Sequence, residues 1–285
     1  MTNALNTDFS FYDIVPDLPP LKIVDVGALP IAGAPEAYAR LIERENATVI
    51  GFDADAAGCK ALAEKYGAPH RFLPFVIGDG RSATFHRNTE VMTSSLYKPN
   101  MELIQNFSGL ENVVIPESSQ PVQTHTLDEV VDWDELDFLQ MDVQGGELSV
   151  LEGCARLLPT ALAVQTEVEF VEIYHDQPMF ADIDRHLRDA GFQFHTFLGF
   201  GQRPYKTGSA SITQTRQVLW SDAVYIPDVT KLKDQSTERL LKLAAILHDL
   251  YTSVDLVLHV LAVVSDRGSP EPRDRYLSRL GSQQS

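Results

Sequence analysis

Short apolar runs alternate with stretches of helical periodicity from residue 22 to about residue 200. Lys22–Val26 is such a run and enters a glycine-containing turn. Ala34–Asn46 follows as a helix, with Tyr38, Leu41 and Ile42 on one stripe and Pro35 suited to its first turn. Thr48–Phe52 is the next strand. Asp55 then caps a helix that runs to Tyr66 and stops at Gly67. Arg71–Ile77 reads as a third strand and Ala83–His86 as a fourth, antiparallel one. Residues 88–121 carry no regular pattern beyond a helical turn or more within Asn100–Phe107. Asp137–Asp142 returns to strand and Glu147–Leu158 to helix. Leu162–Val168 is strand, Pro178–Ala190 is helix ended by Gly191, and Phe192–Phe197 with Val218–Ile226 closes the series as an antiparallel pair.

Beyond Asp228 the pattern changes. Ser236–His248 and Ser253–Ser265 are two amphipathic helices joined near Tyr251; Gly268–Pro272 is a linker and Arg273–Leu280 a last short helix. Leu240, Leu243, Leu247, Leu250, Val254, Leu258 and Leu261 recur at helical spacing, which predicts core packing first and a homodimer seam second. The chain thus divides into an N-terminal segment (1–21), an α/β domain (22–227) and a helical extension (228–285). Repeated strand–helix units with short apolar strands predict a mostly parallel sheet covered on both faces. Ligands of such sheets bind beyond the carboxyl ends of the strands, here just after Val26, Phe52, Ile77, Met141 and Val168.

The composition supports one large domain or a domain with an appendage: 285 residues, 44% hydrophobic, 22% charged and without low-complexity stretches. A formal charge of -17 argues against a nucleic-acid partner. The densest basic stretch, around Arg267, Arg273, Arg275 and Arg279, has acids mixed into it. Cys59 and Cys154 fall in predicted helices with no CxxC or Cys/His spacing, which disfavours a disulfide framework or zinc site and fits a reducing cytoplasm. The first 20 residues lack the basic start and apolar run of a signal peptide. Val254–Val264 is interrupted by Asp255 and His259 and is too short for a membrane span, which needs ~20 apolar residues.

Five strings place chemistry at strand ends. In Val24-Asp-Val-Gly-Ala28, glycine lets backbone approach a ligand closely. Neither GxGxxG nor GxxxxGK[ST] occurs, which weighs against dinucleotide and phosphate-loop proteins. In Ile50-Gly-Phe-Asp53, a carboxylate closing the second strand, 26 residues after Gly27, suits a ribose diol; a helix-cap aspartate is the plainer account. In Val76-Ile-Gly-Asp-Gly80, Asp79 can face an adenine amino group or simply form an Asp-Gly turn. In Asp137–Glu147, Asp142 ends a strand before Gly145 and Gly146. A helix-leading acid is the plainer account there, and it suits Glu147 better than Asp142. In Thr166-Glu-Val-Glu-Phe170, Glu167 and Glu169 share one side of the strand, and two buried like charges are costly unless they bind something. His175 follows as a general-base candidate, although a lone loop histidine is more often merely solvated.

In order and spacing these strings resemble the FkbM-type methyltransferases over roughly residues 22–200, most specifically in DFLQMDVQGGELSVLEG, with VDVGA, VIGFDAD, VIGDG, TSSL and VQTEVEF alongside. The resemblance implies a Rossmann-like α/β methyltransferase sheet and transfer of a methyl group from S-adenosylmethionine to oxygen on a sugar, glycan or natural product. It implies that the turn of Asp25, Gly27 and Ala28 holds the methionine part of the cofactor and that Asp53 with Ala54 holds the ribose. Gly78 and Asp79 would face the adenine, and Ser94, Ser95 and Asp142 would lie near the transferred methyl or the acceptor. The family's first motif continues as GAN, one residue, then glycine. Here Leu29-Pro30-Ile31-Ala32-Gly33 follows, so the asparagine is missing and Pro30 stiffens the turn, which points to altered cofactor contacts.

Transfer to an alcohol calls for a base, with Asp142, Glu169 and His175 as candidates. Carboxylates at 142, 167 and 169 can instead hold a divalent cation, a reading ranked below the metal-free one. Two further classes stand as alternatives: a non-catalytic or degenerate binding and assembly protein, and an NAD-linked or nucleotide-sugar oxidoreductase.

Overall fold

Five of the six residues of Leu21–Val26 are buried, as a strand covered on both faces requires. In the computed structural model, which describes residues 5, 7–29, 36–207 and 216–281, this segment is β1. The strands that follow are β2 (Ala47–Phe52), β3 (Arg71–Leu73), β4 (Ser82–Asn88), β5 (Pro116–Gln123), β6 (Phe138–Met141), β7 (Ala163–Glu169), β8 (Phe192–Arg203) and β9 (Gln217–Pro227). The helices are α1 (Ala39–Glu43), α2 (Ala56–Tyr66), α3 (Met101–Ile104), α4 (Leu127–Val130), α5 (Glu147–Glu152), α6 (Phe180–Asp189), α7 (Thr237–Asp249), α8 (Val254–Ser265) and α9 (Glu271–Gly281).

Seven strands form the main sheet in the order β3-β2-β1-β6-β7-β9-β8. All neighbouring pairs from β3 to β7 are parallel, and β9 runs antiparallel between β7 and β8. The order reverses between β1 and β6, so the crevice of such a sheet lies beyond Val26 and Met141, which face each other in register. One face is covered by α1, α2, α7, α8 and α9 and by Phe9 and Phe11 of the N-terminal segment. The other is covered by α4, α5 and α6. α7 fills the sheet with Leu240, Leu243 and Leu247, as its spacing predicts. In α8 the buried stripe is Val257, Val260, Leu261 and Val264, whereas Val254 and Leu258 are only partly buried.

The N-terminal segment is tied to these helices. The buried His248 ring contacts the Phe9 carbonyl oxygen at 2.8 Å and the Tyr276 hydroxyl at 2.9 Å, while Asp249 accepts from Ser10 Oγ and the Phe11 N–H. Among the described residues no helix is long and apolar enough to cross a membrane.

Several boundaries differ from expectation, each for a local reason. The predicted helix start at Ala34 and Pro35 lies outside the described residues. α1 ends at Glu43 because Glu45 turns left-handed (φ 60) and the Asn46 N–H returns to the Leu41 oxygen. The third strand stops at Leu73 because Pro74 has no N–H to donate. Residues 88–121, predicted irregular, contain β5, which pairs antiparallel with β4 in a separate two-stranded sheet. α5 ends at Glu152 with Gly153 at its cap, which leaves the buried, free Cys154 just outside a helix. Asp55 and Gly67 bound α2 as predicted.

Candidate functional site

The ends of β1 and β6 meet because residue 27 has no side chain. A Cβ on Gly27 would sit 2.0 Å from the Asp142 carbonyl oxygen, and the glycine adopts φ +87. The Gly27 and Ala28 amides both donate to the Phe52 oxygen, at 2.9 and 3.0 Å, so this turn spends its N–H groups on β2. Asp25 is buried and accepts a hydrogen bond from the Tyr38 hydroxyl; its Oδ1 has no partner. Burial pushes its carboxyl up to about 7, against the opposing hydrogen bond from Tyr38. Leu29 packs over Gly58 of α2, and Pro30 lies outside the described residues.

A cleft of about 960 Å³ opens over the strand ends, within the size range of small-molecule sites. Gly27, Asp53, Ala54, Ser94, Ser95, Asp142 and Glu169 all line it. Asp53 stands beyond β2 and accepts the Asp55 N–H at 2.8 Å. Burial raises its carboxyl while backbone N–H groups of Asp55, Leu29 and Ala54 hold it down. Ser95 Oγ donates to the Gln144 carbonyl at 2.6 Å and accepts the Tyr97 N–H; Ser94 Oγ accepts the Asn88 N–H. Both hydroxyls brace the wall.

Five of the residues proposed from sequence lie off the cleft lining: Asp25, Ala28, Gly78, Asp79 and His175. The Asp79 N–H donates to Ser149 Oγ and its carboxylate receives the Arg81 N–H and guanidinium, so it serves its own turn. Gly78 is packed between Ser149 and Thr124. His175 is exposed, anchored through its N–H to the Lys98 oxygen. The side chain delivered to the cleft from this loop is its neighbour Tyr174.

A cluster of carboxyl groups stands at the cleft, of which Asp142, Glu167 and Glu169 line it. Asp142 follows β6, Glu147 opens α5, Glu167 and Glu169 alternate along β7, and Asp222 faces Glu167 across the β7–β9 register. Glu147, Glu167 and Glu169 are nearly inaccessible to solvent. Among the described residues no lysine or arginine forms an ion pair with any of the five. Burial first, then their mutual repulsion, raises Glu167 and Glu169 well above the usual carboxylate range. Burial takes Glu147 up to about 8 even though the Val143 N–H donates to it at 2.8 Å, and takes Asp222 to about 6. Asp142 is raised by burial and held back by hydrogen bonds from Gln144 and Glu167. Like charges this close do not all ionise together, so the cluster retains protons near neutrality.

Gln144 organises the cluster. Its Nε2 donates to Asp142 Oδ1 and Glu167 Oε2, both at 2.8 Å, and its Oε1 accepts the Tyr174 hydroxyl at 3.0 Å. Its backbone is left-handed (φ 56), which the bond from Ser95 Oγ helps to hold. Gln144, Tyr174 and Trp220 were not singled out from sequence. Position 144 lies inside the most specific string, between Asp142 and the paired glycines, and that placement was the available signal. Oxygens of Asp142, Glu147 and Glu167 lie within 4.8 Å of one another and form the geometric set that can hold a metal ion. Glu147, rather than Glu169, completes it.

Phe85, Val91, Met92, Leu110, Val113 and Trp220 give the cleft apolar wall, and Arg87, Glu90 and Arg203 also line it.

The family model of the methyltransferase FkbM domain matches residues 25–194. A search of curated protein sequences finds no match. Among solved structures the chain is similar to magnesium protoporphyrin IX methyltransferase (ChlM) from Synechocystis PCC 6803 with bound SAM, at 14% identity over 76% of each chain and a TM-score of 0.32. It is similar to the N-terminal domain of EvdMO1 in the presence of SAH and D-fucose, at 14% identity over 76% of this chain and 80% of that one, TM-score 0.33. It is also similar to a putative RNA methyltransferase, PH1948 from Pyrococcus horikoshii, at 10% identity over 76% and 79%, TM-score 0.33. At such identities and scores these structures say nothing of what this chain binds.

Proposed function

The chain belongs to the FkbM methyltransferase family, and from that premise we propose that it transfers the methyl group of S-adenosylmethionine to a hydroxyl oxygen of a small molecule or saccharide. The observation that supports this most is a carboxyl cluster without an ion-pair partner among the described residues, beside a cleft large enough for two ligands. Unpaired buried acids are costly to a fold unless a ligand completes them. A positively charged sulfonium is a complement to them, and Asp53, bordering the same cleft beyond β2, is placed to accept both hydroxyls of a ribose.

When bound, S-adenosylmethionine supplies an electrophilic methyl on a positively charged sulfur. The chain's residues align the acceptor and manage its proton. Asp142 and Glu167, clamped by Gln144, hold the cation side. Glu169, on the same side of β7 and outside the clamp, would in its ionised form take the proton that the acceptor hydroxyl loses on methylation. Alignment contributes several kcal/mol to a methyl transfer of this kind. The base is assigned to Glu169 and not to His175, because His175 is exposed and absent from the cleft lining.

Calorimetric titration with S-adenosylhomocysteine tests the reading. Saturable heat is expected, and Asp53→Ala weakens binding by roughly 10–100-fold, the worth of one or two hydrogen bonds to a carboxylate. No heat with the folded protein overturns it.

A further inference from the structure

We infer that Trp220 is the platform on which the methyl acceptor lies, a ring of the acceptor stacking on its indole. The inference rests on the methyltransferase reading and deepens it. Trp220 lines the cleft and pairs with Glu169 across the β7–β9 register. Paired residues of adjacent strands project to the same side of the sheet, with Cβ atoms about 4.5–5.5 Å apart. A ring stacked on the indole therefore brings a substituent hydroxyl beside the carboxyl assigned as base.

β8 is shaped around this indole. A Cβ on Gly201 would fall 2.0 Å from the Trp220 ring, so the strand backbone lies flush against it. The β8–β9 register shifts on both sides of Gly201, an irregularity that makes room for the indole. Two residues on, the Arg203 guanidinium sits 5.2 Å from the ring centroid, a cation–π contact that fixes the ring plane. A side chain supported this way is rigid and offers its cleft side for stacking.

Glu169 stands directly opposite Trp220, and Glu167 opposite Asp222 one alternation deeper. Arg87 and Arg203 line the same cleft, so the surroundings of the indole carry both signs of charge and its flat apolar ring is what selects the acceptor. The nearby apolar walls, Val91, Met92 and Val113, suit the body of such a molecule. A sugar pyranose and a carbocycle share the required chemistry, a C–H-rich ring face with a hydroxyl at its edge.

The sequence holds two tryptophans, so Trp133→Phe makes Trp220 the sole reporter of indole fluorescence. With S-adenosylhomocysteine present, this variant is titrated with methyl β-glucopyranoside, trans-1,2-cyclohexanediol, glucuronate and glucose 1-phosphate. A saturable emission change is expected with at least one of the four ring probes. The glucoside response identifies a sugar and the diol response a carbocycle, while a response to the two anions alone identifies a charged sugar. No saturable change with any of the four overturns the proposal. Trp220→Phe retains binding of the responding probe by saturation-transfer NMR and Trp220→Ala loses it, both with unaltered S-adenosylhomocysteine affinity by calorimetry. Equal retention by both variants overturns the platform. Heat from S-adenosylhomocysteine without any probe response sinks the Trp220 assignment alone; absence of that heat sinks the methyltransferase reading beneath it.

Discussion

β6 is flanked by an aspartate at each end, and their surroundings are opposite. At the amino end, Asp137 is buried, 3.0 Å from the Lys242 ammonium, and also accepts the Lys22 N–H at 2.8 Å. At the carboxyl end, Asp142 meets Glu147, Glu167, Glu169 and Asp222, and its nearest donor is a neutral amide. The first site is complete within the chain and joins α7 to the sheet. The second has no ion-pair partner among the described residues, and the proposed ligand would supply one. A buried charge with a partner belongs to the fold, and a group of buried acids without one belongs to a ligand.

The largest effect that would break this contrast is at Lys242. Lys242→Met strands the Asp137 charge and is expected to cost about 3–5 kcal/mol in urea unfolding. Glu167→Gln should leave the stability of the ligand-free protein unchanged or raised. Equal losses for the two variants would erase the distinction. Glu169→Gln is expected to lower turnover by roughly 10²–10⁴-fold, the usual contribution of a general base, with cofactor affinity little altered; stopped assays of S-adenosylhomocysteine release measure it.

The pH dependence sharpens the same point by a smaller amount. The Glu147 carboxyl has the ordinary glutamate value of 4.5 when unfolded, and burial takes it up to about 8 when folded. The folded state binds that proton more tightly, so its stabilising contribution is full below about pH 4.5 and is lost as pH rises through about 8. Glu147→Gln should flatten the wild-type decline between these limits, by at most about 1.4 kcal/mol per pH unit. Parallel curves for variant and wild type would show that the group does not carry this linkage.

Much of the scaffold was legible because burial leaves a period in the sequence. β1, β2 and β6 are mainly apolar runs, and in β7 Glu167 and Glu169 share a side because strands alternate. Asp55 and Gly67 bound α2 by local chemistry alone. β5 was hidden because all but one of the residues of PESSQPVQ are exposed and two are prolines, so no buried face stamps a pattern on it. Gln144 was hidden for another reason. Its role depends on a left-handed backbone and on partners 23 and 30 residues away, Glu167 and Tyr174. Trp220 reads as one more apolar strand residue until β8 is seen bent around it. At 174–175 the sequence favoured the titratable histidine, and the fold turned the tyrosine inward. Asp25 was read as a ligand contact and Asp79 as a ligand contact or a plain turn; in the fold Asp25 takes the Tyr38 hydroxyl on one oxygen and leaves the other without a partner, and Asp79 pairs with Arg81.

S-adenosylmethionine and S-adenosylhomocysteine differ by a methyl and one positive charge at sulfur, so their affinities measured by calorimetry at pH 6 and pH 8.5 probe the acid cluster directly. A cation favours ionised carboxyls, so its binding releases protons and tightens with rising pH, while the neutral thioether lacks this gain. The expected result is a preference for S-adenosylmethionine that grows with pH and is reduced in Glu167→Gln. The same pH dependence for both compounds, or no binding of either, would contradict the account.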